Sequence, residues 1–243
     1  MKKKVSSVLT TAFILLAGAV CFFQFNTAGY LLTVPFRSTF QKIDDNLYIN
    51  KGYSGSAEEI SDIIGQAVER DTAFFGEMRC LDDTMIIICD NEKLTQKIGD
   101  KTTHTLAFPK KKDVICISQD YLNVDIIAHE LTHAELHTHL SVSARRRLPT
   151  WFDEGTATQN DYREQYSPEN WVRRTDNGKN SVLLEDMDTP EEFYSDPVEE
   201  RQFRYICAKH EISQWLETHT VQDLLGLADR FNDGEDFYTL YNK

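Results

Sequence analysis

The hydrophobic pattern along the chain changes period several times, and each change predicts an element. Val5 to Phe25 is almost continuously apolar behind Lys2-Lys3-Lys4, and no further charge follows until Arg37. About twenty uncharged residues behind a basic cluster predict a signal peptide or an N-terminal membrane anchor over 1–28, with the lysines kept inside and the rest sent across. A short tether is expected over 29–40. Ile43 to Asn50 is expected to contain a first strand. Ser56 to Met78 has helical spacing, with Ile60, Ile63, Ile64, Ala67 and Val68 on one face, Ser56 placed to cap it and two glutamates in the first turn. Met85 to Cys89 is a short, unbroken apolar run that predicts a buried strand. Residues 104–108 and 114–118 predict two more strands around a charged Pro-Lys-Lys-Lys-Asp turn. From Asp120 to Leu140 the period returns to that of a helix, with a stripe at Leu122, Ile126, Ile127, Leu131 and Ala134. Arg145-Arg146-Arg147 interrupts it, and Pro149 suits the first turn of a new helix running to about Asn160. Residues 165–200 predict loop with short helices, and Glu199–Glu217 and Val221–Phe231 two closing helices.

Strands first and helices afterwards predict an α+β chain: a small mixed β-sheet, then a mainly helical C-terminal part. The length of 243 residues and a hydrophobic fraction of 41% suit one catalytic domain over 41–243. A net charge of −13 disfavours nucleic acid as a partner. The five cysteines form no CxxC pair, so a cysteine zinc site is not expected. Outside the cytoplasm, a disulfide among Cys80, Cys89, Cys116 and Cys207 is permitted; buried free thiols are the alternative.

Within the 120–140 helix, His129-Glu130-Leu131-Thr132-His133 places two imidazoles four residues apart. On a helix that spacing puts both on one face, where they can bind one ion. Glu130 is turned about 100° away, so it is expected to act on water as general base and not to ligate. Two imidazoles and one carboxylate suit a single Zn²⁺ with a position left open. Trp151-Phe152-Asp153-Glu154-Gly155-Thr156-Ala157 follows on the next helix, and Glu154 is the expected third ligand. Asp153 competes for that place or orients a ligand histidine from behind. His137, one turn beyond His133, is a further alternative ligand.

These two motifs together resemble the gluzincins, zinc peptidases that pair HExxH with a glutamate on the following helix. His-Glu-Leu-Thr-His is shared with thermolysin-like enzymes, and Asp153 to Ala157 is similar to the Asn-Glu-Gly-x-Ala of aminopeptidases in that clan. Small bacterial peptidase MA-like proteins carry a similar combination. The likeness covers roughly residues 121–160, is weaker over 80–120 and fainter over 200–240. It implies peptide or protein substrates, an edge strand beside the active-site helix, and a Tyr or His that stabilises the oxyanion, for which Tyr205 and His210 are the candidates. Where thermolysin-like sequences carry an Asp one turn after the glutamate, this chain has Thr158. The histidine partner is then expected among Asp153, Asp161 and a backbone carbonyl. Motifs that bind a free α-amine are not evident, which favours an endopeptidase.

The expected activity is therefore zinc-dependent peptide hydrolysis, on the outer face of a membrane or secreted. Substrate backbone could add to the edge strand around His104 to Phe108; His104 itself is expected to be a surface residue. The alternative is a non-catalytic, membrane-tethered binding module that retains the fold.

Overall fold

The computed structural model describes residues 27–90, 102–107, 112–194 and 197–243. The predicted signal or anchor over 1–28 lies outside them but for its last two positions. No helix among the described residues is long and apolar enough to cross a membrane. The fold is α+β, and the single domain expected over 41–243 divides into two compact units.

The described parts of Met1–Gly55 and Asp83–Leu122 form the first unit. It contains helix α1 (Thr27–Thr33) and strands β1 (Phe40–Asp44), β2 (Leu47–Asn50), β3 (Thr84–Cys89), β4 (Thr102–Ala107) and β5 (Lys112–Ser118), in the sheet order β1-β2-β3-β5-β4. β1 and β2 form an antiparallel hairpin, β2, β3 and β5 are parallel, and β4 closes the far edge antiparallel to β5. The first strand expected over 43–50 is thus a hairpin, broken where Asp45 and Asn46 make the turn. The predicted strand pair around the lysine turn is β4 and β5, and β4 is an edge as expected. β3 is buried throughout, which is why it reads as an unbroken apolar run with no alternation. The tether expected over 29–40 is instead packed structure. Tyr30, Leu31 and Val34 are buried with Phe40, Tyr48, Met85, Ile87, Val114 and Cys116. One sheet face presents alternate side chains, and α1 covers them. Cys80, Cys89, Cys116 and Cys207 are buried free thiols, with the sulfurs of Cys89 and Cys116 3.4 Å apart.

The second unit, Ser56–Asp82 with Asn123–Lys243, is helical among its described residues. Its main elements are α2 (Ala57–Phe75), α3 (Val124–Thr138), α4 (Val142–Arg145), α5 (Thr150–Ala157), α6 (Pro168–Thr175), α7 (Pro190–Phe193), α8 (Val198–Trp215), α9 (Val221–Asn232) and α10 (Phe237–Tyr241). Ser56 caps α2 by accepting from the Glu59 amide, and Gly76 ends it at φ 88°, which favours glycine. Asn123 caps α3 through the Ile126 amide. α3 is buried at every position from Ile126 to Leu136, not along one stripe only. α2 and α5 both pack on it, and α8 packs on α5. Trp151 and Phe152 anchor α5 among Phe237, Tyr241 and Ile212.

Asp71 on α2 sits in this packing with neither carboxyl oxygen hydrogen-bonded. Burial pushes its pKa up to about 8; the Thr132 hydroxyl and Arg70 offset that only in part, and Glu135 adds to it. The folded protein keeps Asp71 protonated below that pH, whereas the unfolded chain ionises near 4. Stability is fully present below about pH 4 and declines as pH rises toward 8. Asp71→Asn should therefore raise stability at pH 7 by roughly 1–4 kcal/mol and flatten its pH dependence, as read by urea unfolding at pH 5 and pH 7.5. A variant less stable than wild type at pH 7 would contradict this.

Candidate metal centre

α3 supplies His129, Glu130 and His133, and α5 supplies Asp153 and Glu154. Their relative placement is fixed from several sides. Arg70 on α2 donates to Asp125 at 2.6 Å and to the Asn160 carbonyl at 2.8 Å, joining the start of α3 to the turn that follows α5. Thr132, between the two histidines, accepts from the Asn160 side chain at 2.9 Å. Glu135 accepts the amides of Arg79 and Cys80 at 2.7 and 2.9 Å, pinning the segment after α2. On the far side, Gly155 lets α5 approach α8: a Cβ there would lie 2.6 Å from the Ala208 carbonyl oxygen.

Within this frame His129, His133 and Glu154 converge as the sequence predicted. Glu154 Oε2 lies 3.3 Å from His129 Nε2 and 3.4 Å from His133 Nε2. That oxygen is buried and has no hydrogen-bond partner. A tetrahedral ion with ligand bonds of about 2.0–2.1 Å separates its donors by about 3.3–3.4 Å, so the spacing fits such an ion. The charges of the cluster are coupled. Burial would raise the pKa of Glu154, but His133 and His129 hold it well below the usual carboxylate range. Burial would lower that of His133, but Asp153 and Glu154 outweigh it and raise it well above the usual imidazole value. The three groups could hold a metal ion.

Asp153 is behind the cluster and not in it. Its Oδ1 lies 2.7 Å from His133 Nδ1, and its Oδ2 lies 3.0 Å from His137 Nε2. Burial works against its charge, yet His137 and His133 hold its pKa well below the ordinary value. His133, His137 and Asp153 also have ligand atoms close enough for an ion. Their 2.7 and 3.0 Å separations are those of direct hydrogen bonds, however, and leave no tetrahedral edge. Of the three expected partners for a ligand histidine, Asp153 therefore serves His133. Asp161 Oδ2 is 4.0 Å from His129 Nδ1, too far for a hydrogen bond, and is paired with Arg163. Thr158, standing where related sequences have an acid, donates to the Glu154 carbonyl at 2.6 Å.

Glu130 is buried at 8% exposure, and its side chain makes no hydrogen bond or ion pair among the described residues. Tyr205 reaches the cluster: its ring centroid is 6.1 Å from that of His129. Burial, then Glu154 and Glu130 among the nearby groups, pushes its hydroxyl pKa well up, so it stays a donor. His210 is not brought there. It stacks on Trp171 with centroids 3.4 Å apart, and the carboxylates that act on it are Glu211 and Glu217. Five positions along one helix rotate it about 140° from Tyr205. His104 lies on β4 in the other unit.

The sequence reading missed Tyr194, whose hydroxyl donates to Glu154 Oε1. It occupies one carboxylate oxygen and leaves Oε2 to face the imidazoles. Tyr194 follows the four-residue helix α7, forty residues after Glu154, and no local spacing announces it. No family model matches the chain, and no curated protein is significantly similar to it.

Proposed function

We propose that this chain is a zinc-dependent peptidase of the gluzincin type, with endopeptidase activity favoured. The observation that carries the reading is the buried, unpartnered Glu154 Oε2 facing two imidazole nitrogens at 3.3 and 3.4 Å. Two imidazole nitrogens, His133 giving up its proton on binding, and one carboxylate are a donor set that zinc accepts with a position left open. Bound there, zinc would supply Lewis-acid polarisation of a carbonyl and acidification of water to a pKa of about 7.

The chain's own residues then divide the remaining work. Glu130, whose side chain makes no hydrogen bond or ion pair among the described residues and which lies one step round the helix from the ligands, takes the proton from the attacking water and returns it to the leaving amine. Asp153 fixes the His133 ring by holding Nδ1, which leaves Nε2 for the ion. Tyr205 offers a hydroxyl to the developing oxyanion. Residues 1–28 make export or membrane anchoring the proposed setting, on their sequence alone.

The test is cleavage of an unstructured polypeptide by the purified full chain. Activity should disappear on chelation and return with one equivalent of zinc. Activity indifferent to chelation would overturn the proposal, since without an ion these side chains supply no Lewis acid to polarise the carbonyl or acidify water.

A further inference from the structure

The three successive arginines before Pro149 take no part in the His–Glu cluster, yet they line a cleft of about 730 Å³ together with Asp153 and Tyr194. Those two residues tie the cleft to the cluster. Asp153 is bonded to His133, and the Tyr194 hydroxyl donates to Glu154. The cleft therefore begins one side chain away from the groups that face the ion.

Four carboxylates also line it, but each already has its own donors. Asp153 lies between His133 and His137. Asp188 accepts from Trp151 Nε1 at 3.1 Å and from the Tyr238 hydroxyl. Glu235 is paired with Arg230, and Asp236 caps α10 through Thr239. On the basic side, Arg145 donates to the His137 carbonyl at 2.9 Å, and Arg147 lies over the Phe231 ring at 5.0 Å. Arg146 is exposed, and its side chain makes no hydrogen bond or ion pair among the described residues. In a chain of net charge −13, an uncommitted guanidinium beside a second exposed arginine runs against the overall balance. Its forked donors match a carboxylate.

We propose that this cleft binds a carboxylate of the substrate through Arg146, with Arg147 beside it, so that the substrates are acidic peptides. This rests on the peptidase reading of the adjacent cluster. An extended peptide advances about 3.3 Å per residue, so the carboxylate belongs to a residue a few positions from the bond being cut. It comes from an Asp or Glu side chain; a free C-terminus is the rival source.

The experiment uses the full chain and three matched unstructured peptides: one rich in Glu near the cleavage point, its Gln counterpart, and the Glu peptide with an amidated C-terminus. Direct binding titration is read first, because it needs no turnover. The Glu peptide should bind at least about tenfold more tightly than the Gln peptide, the scale of a charge-assisted hydrogen bond, and the ratio should fall to near one in Arg146→Ala. The advantage should shrink as salt is raised, since the guanidinium is exposed. In turnover, the same difference should fall on KM and not on kcat. Affinity for the Glu peptide unchanged by amidation places the carboxylate on a side chain, as proposed; affinity lost on amidation, with the Glu and Gln peptides binding alike, assigns it to the C-terminus and overturns the preference for acidic side chains. Equal affinities for the Glu and Gln peptides, or a ratio unchanged by Arg146→Ala, would overturn the proposal. A chain that binds no metal and cuts nothing, yet prefers the acidic peptide through Arg146, would overturn the peptidase reading and leave the carboxylate site standing.

Discussion

Replacing Glu130 by glutamine should reduce peptide hydrolysis by roughly 10²- to 10⁴-fold, the usual contribution of a general base, while metal content stays at the wild-type value. The two halves of that expectation come from separate features. Glutamine keeps the size and the hydrogen-bonding reach of the side chain but cannot take a proton from water at neutral pH. Glu130 is not among the three groups that converge, and no hydrogen bond or ion pair among the described residues depends on its side chain, so neither ion nor fold should respond. The loss should appear in kcat, because the interaction removed operates in the transition state. Activity within a few-fold of wild type would remove Glu130 from the mechanism. Loss of metal along with activity would make it a ligand.

The second large effect is structural. Gly155→Ala would place a methyl group 2.6 Å from the Ala208 carbonyl oxygen, 2.9 Å from its carbon and 2.9 Å from Ile212 Cγ1. Two of those atoms are backbone of α8, so no rotamer change relieves the contact. α5 and α8 must separate, at a cost of about 1–3 kcal/mol for overpacking a buried helix interface. For a chain of this size that lowers Tm by several degrees, at roughly 2–4 °C per kcal/mol. Because Glu154 is the adjacent residue, the same shift should weaken metal binding. Calorimetry and a competition titration would read the two effects. A variant with wild-type Tm and wild-type metal affinity would show that α5 and α8 are not held this closely.

The features legible in the sequence are those set by local geometry. Four-residue spacing on one helix decided that His129 and His133 would share a face, and the short connection through Pro149 decided that Glu154 could reach them. The caps at Ser56 and the unbroken apolar run of β3 were readable for the same reason, since each is fixed within a few residues. The two units, the tether and the surroundings of the cluster were not. Tyr30, Leu31 and Val34 continue an apolar run whose first part reads as a membrane segment, and only the sheet face opposite them shows that they are packed. Tyr205 and His210 were equal candidates on one helix. Which face meets the cluster is decided by α8 packing on α5, a contact between segments some fifty residues apart. Tyr194 lies still further from any pattern, at the end of a single helical turn among prolines and acids. Glycine in the Glu-Gly pair was visible as a motif, but its reason is the carbonyl of Ala208 on a later helix.

The account depends on an ion held between α3 and α5, and its content in purified protein is the most direct measure. Metal analysis of wild type and of Glu154→Ala, with both confirmed folded by circular dichroism, should give close to one zinc per chain in the first. In the variant it should fall to a small fraction, because two imidazoles alone bind too weakly to survive purification. Wild-type protein without a stoichiometric metal, or a variant that retains the full equivalent, would contradict the assignment of His129, His133 and Glu154 as the ligand set.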